Sequence, residues 1–195
     1  MDNDISVIKV IFLGSSGVGK TSILNVFKKS DDPIIPTIAP DNYTVDVINS
    51  RNNKVKLNIW DTAGQEQYRS MTTAYYRSVN VALVCFDYEN RNDFKKWIQS
   101  VKEVSPDCNV LLVITKKDIY DENQLKEMET IADNAILDET NNATSVFVTS
   151  ALRKTGIDEL FGFIANCDTK DKTESPSNSP KNLGGSPQGN KGCCA

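Results

Sequence analysis

The sequence predicts an α/β domain of three layers, with a mostly parallel sheet of about six strands and helices on both of its faces. Three observations predict it. A Gly-rich turn joins a β-branched apolar run to a segment of helical periodicity. Two alternating segments then flank a polar turn as a hairpin. After them, continuous apolar runs of strand length alternate with amphipathic helical segments, the signature of parallel crossovers.

Val7 to Leu13 is the first strand, and Thr21 to Phe27 is a helix with Ile23, Leu24 and Phe27 on one face. Lys28 to Asp41 carries Pro33, Pro36 and Pro40 and no sustained period, so it reads as a loop. Tyr43 to Ile48 and Val55 to Trp60 alternate around Ser50-Arg51-Asn52-Asn53 as a hairpin. Val81 to Phe86 and Val110 to Ile114 are continuous apolar strands. Between them, Asp93 to Val104 sets Phe94, Trp97, Ile98 and Val101 on one helical face. A helix is expected from Asn123 to Leu137, a short last strand at Val146 to Val148, and a last helix from Gly156 to Ala165. In a sheet of this type, ligand sits at the carboxyl ends of the strands.

The turn Gly14-Ser15-Ser16-Gly17-Val18-Gly19-Lys20-Thr21 fits the pattern G-x-x-x-x-G-K-S/T in the strand-to-helix context that pattern requires. Its glycines let successive N–H groups and the helix N-terminus face a polyphosphate. Lys20 would neutralise the β- and γ-phosphates, and the Thr21 hydroxyl would ligate Mg²⁺. A Gly/Ser-rich turn that binds nothing is the bland alternative. The agreement of strand, lysine, hydroxyl and helix weighs against it.

Composition bounds the rest. The chain has 195 residues, 39% hydrophobic and 25% charged, which suits one compact domain. A net charge of -4 and the lack of a basic cluster interleaved with aromatics point away from nucleic acid as a partner. No apolar run is long enough to span a membrane, no secretory leader is written at the N-terminus, and a cytosolic chain is expected. The five cysteines have neither a disulfide framework nor zinc-ligand spacing, and with no histidine an imidazole base is excluded.

Taken together, these motifs resemble the small GTPases of the Ras superfamily, and within it the Rab family, over Val7 to about Cys167. The resemblance rests on Gly14 to Thr21, on Pro36-Thr37-Ile38 as a first switch and on Trp60-Asp61-Thr62-Ala63-Gly64-Gln65-Glu66 as a second. Lys56 to Trp60, Tyr68 to Thr72 and Tyr75-Tyr76-Arg77 are similar to stretches that separate Rabs from their cousins. It implies the P-loop NTPase (small G-protein) fold over residues 1–167, binding of GTP or GDP with Mg²⁺, and slow hydrolysis of GTP. By the resemblance Gly14, Ser15, Ser16, Gly17, Val18, Gly19, Lys20, Thr21 and Ser22 hold the phosphates. Thr37 and Thr21 ligate Mg²⁺, Asp61 holds it through water, Gly64 gives its N–H to the γ-phosphate, and Gln65 orients the attacking water. Lys116, Lys117 and Asp118 should select guanine, because a carboxylate can accept two hydrogen bonds from the guanine edge while a lysine stem packs on its face. Ser150-Ala151-Leu152 resembles the last base motif, in which a backbone N–H meets the guanine carbonyl.

The sequence departs from type at four places. Thr115 stands where the family has Asn and Leu152 where it has Lys, and Thr115 has no amide to bridge the base and the phosphate loop, so weaker nucleotide retention is expected. The loop from Lys20 to Thr37 is shorter than is usual, and Ala39-Pro40-Asp41-Asn42 replaces Gly-Val-Asp-Phe. Tyr43 is then expected to take the aromatic's place beside Trp60 and Tyr75. No internal arginine is evidently placed to assist hydrolysis, Arg69 and Arg77 reading as switch-surface charges. An activating protein would supply it in trans.

Residues 168–195, dominated by Lys, Ser, Asn, Pro and Gly, read as a disordered tail. Its Cys193 and Cys194 resemble the Rab signal for two geranylgeranyl groups. The implied protein is a switch in vesicle traffic, shared between the cytosol and the cytoplasmic face of an endomembrane. Its partners would be an exchange factor, an activating protein, an escort chaperone of the GDI type and effectors. Two alternatives stay open: a nucleotide-loaded scaffold with impaired cycling, and a P-loop kinase or ATPase, against which Asp118 argues.

Overall fold

The computed structural model describes residues 5–30, 32, 37, 40–62, 74–138 and 143–167. Six strands form one sheet in the order β2-β3-β1-β4-β5-β6. They are β1 (Ser6–Leu13), β2 (Asp41–Ile48), β3 (Lys54–Asp61), β4 (Val81–Phe86), β5 (Asn109–Ile114) and β6 (Ala143–Val148). Only β2 runs antiparallel to its neighbour, as a hairpin with β3; β1 pairs in parallel with β3 and β4, and β5 with β4 and β6. Among the described residues the α-helices of eight or more residues are α1 (Lys20–Lys28), α2 (Phe94–Lys102), α3 (Glu122–Leu137) and α4 (Ile157–Ile164). The predicted fold class is the observed one.

The central strands explain why the sheet is covered on both sides. Every residue of β4 is buried, as are all but the first of β5, which is the pattern of parallel strands sandwiched between helices. On one face Ile11, Leu13, Val84 and Phe86 pack with Phe94, Trp97 and Val101 of α2 and with Met128 and Ala132 of α3. On the other, Val10, Phe12, Leu57 and Leu83 pack with Ile23 and Leu24 of α1 and with Leu160, Phe161 and Ile164 of α4. Phe27 stacks on Phe161 at 3.5 Å between ring centroids, joining α1 to α4. Side chains of this size contribute about 1.5–3 kcal/mol each when fully buried.

Most boundaries shift from expectation by one or two residues, and two of the shifts have local reasons. Helix α3 begins at Glu122 because Asp121 caps it reciprocally: its Oδ1 accepts from Gln124 N at 2.8 Å, and its own N–H donates to Gln124 Oε1 at 3.1 Å. Strand β6 begins at Ala143, before the apolar residues. It is an edge strand, so the polar Thr144 and Ser145 can join the ladder without entering the core, with a register irregularity opposite Val110 and Leu111.

Candidate functional site

Four of the segments that build the site leave the sheet at the carboxyl end of a strand: β1 leads to Gly14–Gly19, β3 to Thr62, β5 to Thr115–Asp118 and β6 to Thr149–Leu152, while Thr37 lies between α1 and β2. The phosphate-loop backbone turns through left-handed conformations at Gly14 (φ 136), Gly17 (φ 77) and Gly19 (φ 103). At Gly14 the need is also spatial, since a Cβ there would lie 2.2 Å from the Cys85 carbonyl oxygen. Gly19 caps α1 without any side-chain bond, so the first N–H groups of the helix stay available to an anion. Lys20 folds back over this loop, its Nζ donating to Gly14 O at 2.8 Å and to Ser15 O at 3.0 Å. Burial lowers the pKa of its ammonium, and the nearby Cys85 and Asp61 oppose that shift.

Beside the lysine, three oxygen-bearing side chains from different parts of the chain converge. Thr21 Oγ1 donates to Asp61 Oδ2 at 2.7 Å and lies 2.9 Å from Thr37 Oγ1, which itself reaches Asp61 Oδ2 at 3.4 Å. Asp61 is 2% exposed, and its Oδ1 is a buried oxygen without a hydrogen-bond partner. Burial raises its carboxyl, against the Thr21 bond and the Lys20 charge. A hard divalent cation fits such a set, because all three donors are oxygens and one buried carboxylate oxygen still needs a partner. Thr62 Oγ1 anchors the segment after Asp61 by donating to Phe12 O at 2.6 Å.

Along the same edge lies a pocket of about 560 Å³ lined by Gly17, Gly19, Ser22, Thr115, Lys116, Asp118, Ala151 and Leu152, among others. Asp118 is oriented by Ser150, whose Oγ donates to Asp118 Oδ1 and accepts from Arg153 N at 3.0 Å. Lys116 takes a left-handed backbone (φ 57). Lys117 turns its side chain to solvent and uses its N–H to hold Thr149 O at 3.0 Å. Thr115 is 1% exposed, and its hydroxyl donates to Phe86 O at 3.2 Å, at the end of β4. Leu152 is 76% exposed at the pocket's lip.

Of the candidate residues, Gly17, Gly19, Ser22, Thr115, Lys116, Asp118, Ala151 and Leu152 line the pocket, while Thr21, Thr37 and Asp61 form a separate hydrogen-bonded cluster joined to it through the Gly14 to Ser22 segment. Gly64, Gln65, Arg69, Cys193 and Cys194 lie outside the described residues. One expectation is corrected: Tyr43 does not stand beside Trp60 and Tyr75. The ladder pairs Tyr43 with Ile59 and Asn42 with Trp60, which puts Tyr43 on the opposite face of the sheet. There it packs near α1, with Lys28 Nζ 3.5 Å from its ring centroid. Trp60 and Tyr75 do meet, at 5.0 Å between ring centroids.

Sequence reasoning missed Asn25, Ser30, Asp32 and Ile119, which also line the pocket. It also missed Asp87, which pairs with Lys116 at 2.7 Å. Asp87 did carry a signal, being the first polar residue after the apolar run of β4, at the end of the sheet where ligands gather.

Comparison with known proteins places this geometry in context. A sequence model described as "Ras family" matches residues 9–168. A mouse (Mus musculus) protein called Ras-related protein Rab-3D is 33% identical over 191 residues, covering 92% of this chain and 83% of its own length. Mouse Ras-related protein Rab-19 is 32% identical over 163 residues, 80% of this chain and 73% of that relative. Ras-related protein Rab-4 of Dictyostelium discoideum is 36% identical over 168 residues, 83% of this chain and 78% of that relative.

Proposed function

The chain belongs to the Ras family, with Rab proteins among its relatives, and from that premise we propose that it is a GTP-binding switch that hydrolyses GTP to GDP and regulates vesicle-mediated membrane traffic. The observation that carries this reading is the convergence of Thr21, Thr37 and Asp61 beside Lys20, with a buried Asp61 oxygen left over. In this reading residues 1–167 are the GTPase domain and residues 168–195 a tail.

The phosphates would lie on the N–H groups of Gly14 to Thr21 and of Ser22, with Lys20 turning from the Gly14 and Ser15 carbonyls to the β- and γ-oxygens. Thr21, Thr37 and Asp61 would hold Mg²⁺, Asp61 through water, and Mg²⁺ would neutralise charge developing between the β- and γ-phosphates. Thr37, carried on the loop after α1, would close on the γ-phosphate and release when it is gone, as would Gly64. Gln65 would orient the attacking water. Asp118, held by Ser150, would accept from the guanine N–H edge while the stem of Lys116 and the exposed Leu152 flank the base. Ala151 would offer its N–H to the guanine carbonyl.

Such a site works by positioning and electrostatics, so turnover would be slow alone and faster by about 10³- to 10⁵-fold with an arginine from an activating protein. Exchange factors, escort chaperones and effectors would read the two switches. Cys193 and Cys194 would carry two geranylgeranyl groups that hold the protein on the cytoplasmic face of an endomembrane, two chains giving the stable binding that one does not.

The test is to purify the full chain from cells, identify the nucleotide released on denaturation, and follow GTP turnover with Mg²⁺. Bound GDP, with slow phosphate release that Gln65→Leu abolishes, is the expected result. GTP that persists unhydrolysed would favour a nucleotide-loaded scaffold, a reading to which the Thr115 hydroxyl, bonded to Phe86 O, lends support.

A further inference from the structure

The segment from Asp87 to Asp93, between the end of β4 and the start of α2, touches both loops of the pocket. At its first residue, Asp87 Oδ2 accepts from Lys116 Nζ at 2.7 Å, the carboxylate side chain being 2% exposed and the lysine 35%. Asp87 Oδ1 accepts from Asn90 N at 3.0 Å and from Asn90 Nδ2 at 2.8 Å. At its last residue, Asp93 Oδ2 accepts from Ser15 Oγ at 3.1 Å, while Oδ1 pairs with Lys96 at 2.7 Å. The span between them is stiffened by its own backbone, Asn90 N donating to Asp87 O at 3.2 Å and Asp93 N to Asn90 O at 2.9 Å. It is also pinned from outside, because Arg91 donates to Tyr88 O at 2.7 Å and to Glu127 Oε1 on α3 at 2.9 Å.

Thr115 makes no comparable link. Its hydroxyl is committed to Phe86 O, and at its approach to the phosphate loop it presents only a Cβ, 4.0 Å from where a Cβ on Gly19 would stand. We propose that Asp87 and Asp93 are positioning residues for nucleotide retention: the Asp87–Asp93 segment braces the base loop, through Lys116, to the phosphate loop, through Ser15. It supplies the coupling that an Asn amide at position 115 would otherwise supply. The proposal rests on the guanine-nucleotide reading above.

Lys116 occupies a left-handed backbone that a side chain rarely adopts, and its flexible stem must lie across the base slot. An ion pair to a buried carboxylate, itself held by Asn90, removes that freedom before the nucleotide arrives. Ser15, whose carbonyl accepts from Lys20, is held in the same way by Asp93. Both loops are thereby ordered against a common strut, so less order must be gained on binding and more contacts must break together on release.

The experiment uses the full chain loaded with a fluorescent GDP analogue in excess Mg²⁺, and reads the dissociation rate of Asp87→Asn and of Asp93→Ala in two backgrounds, native and Thr115→Asn. In the native background each substitution is expected to speed release by about tenfold, the scale of a lost charged hydrogen bond. In the Thr115→Asn background the effect should fall to less than about twofold, because an amide then makes the bridge directly. A lesion that merely loosened the fold would act equally in both backgrounds. Equal acceleration, or none in either, overturns the brace. Asp93 is partly exposed, so its variant keeps the test available where Asp87→Asn fails to fold. A native chain that holds no guanine nucleotide overturns the functional reading and the brace with it, whereas a chain that holds GDP but shows equal effects overturns the brace alone.

Discussion

Asn42 stands directly opposite Trp60 in the β2–β3 ladder, so the cross-strand neighbour of the indole is an amide and not an aromatic ring. The amide is engaged diagonally across the hairpin, Asn42 Nδ2 donating to Asn58 Oδ1 on β3 at 2.6 Å. This exposed flank of the hairpin is therefore more polar than Gly-Val-Asp-Phe at the same place would make it. Asn42→Phe should stabilise the fold by about 0.5 kcal/mol through an aromatic cross-strand pair, read as a higher denaturant midpoint with a shift in Trp60 fluorescence. No change in either readout would show that the ladder does not pair these two residues.

Thr115→Asn is expected to slow GDP release. A pair of buried hydrogen bonds gained at the base is worth about 1–3 kcal/mol, or roughly fivefold to 150-fold in dissociation rate. Stopped-flow displacement of a fluorescent nucleotide measures it. A rate equal to that of the native chain would mean that the pocket already holds the base as tightly without the amide.

The acid side of the stability profile should depend on Asp87. Burial alone would raise its carboxyl, but the Lys116 ammonium and the Asn90 donors outweigh burial and hold it below the ordinary carboxylate range. Between the folded and unfolded values the unfolded state binds more protons, so stability rises with pH through that window and is lost as pH falls through the folded value. Asp87→Asn should therefore be less stable than the native chain at neutral pH, with the difference shrinking toward about pH 3, near and below the carboxylate range. Urea unfolding at the two pH values decides it. A gap independent of pH would assign the loss to shape and not to charge.

Two glycines of the phosphate loop should respond very differently to alanine. At Gly14 the added Cβ would meet the Cys85 carbonyl oxygen at 2.2 Å in a backbone at φ 136, so Gly14→Ala should cost about 3 kcal/mol or more and move β1 against β4. At Gly17 nothing lies within 4 Å, and the cost of φ 77 alone is about 1–2 kcal/mol. Thermal unfolding of both variants without added nucleotide would test the ranking. Equal losses would place the strain in the backbone and not in the contact.

Much of the fold and part of the site were legible because their signals are local. Gly14 to Thr21 is contiguous and sits between a strand and a helix that announce themselves by periodicity. The continuous apolar runs of β4 and β5 likewise imply burial on both faces. The position of Tyr43 was not legible. Side chains alternate from one sheet face to the other, so whether Asn42 or Tyr43 meets Trp60 turns on a single residue of register, which the ladder decides.

What the sequence determined by itself is the order of the strands and helices along the chain, the phosphate-loop turn and the residue types that can meet a phosphate, a metal or a base. What the tertiary structure decided is which of those side chains share an edge. Asp61 meets Thr21 across 40 residues, and Lys116 meets Asp87 across 29. No local pattern encodes such pairings. They exist because parallel strands bring the ends of distant segments side by side, and because a buried carboxylate keeps its charge only where another part of the chain brings it a partner.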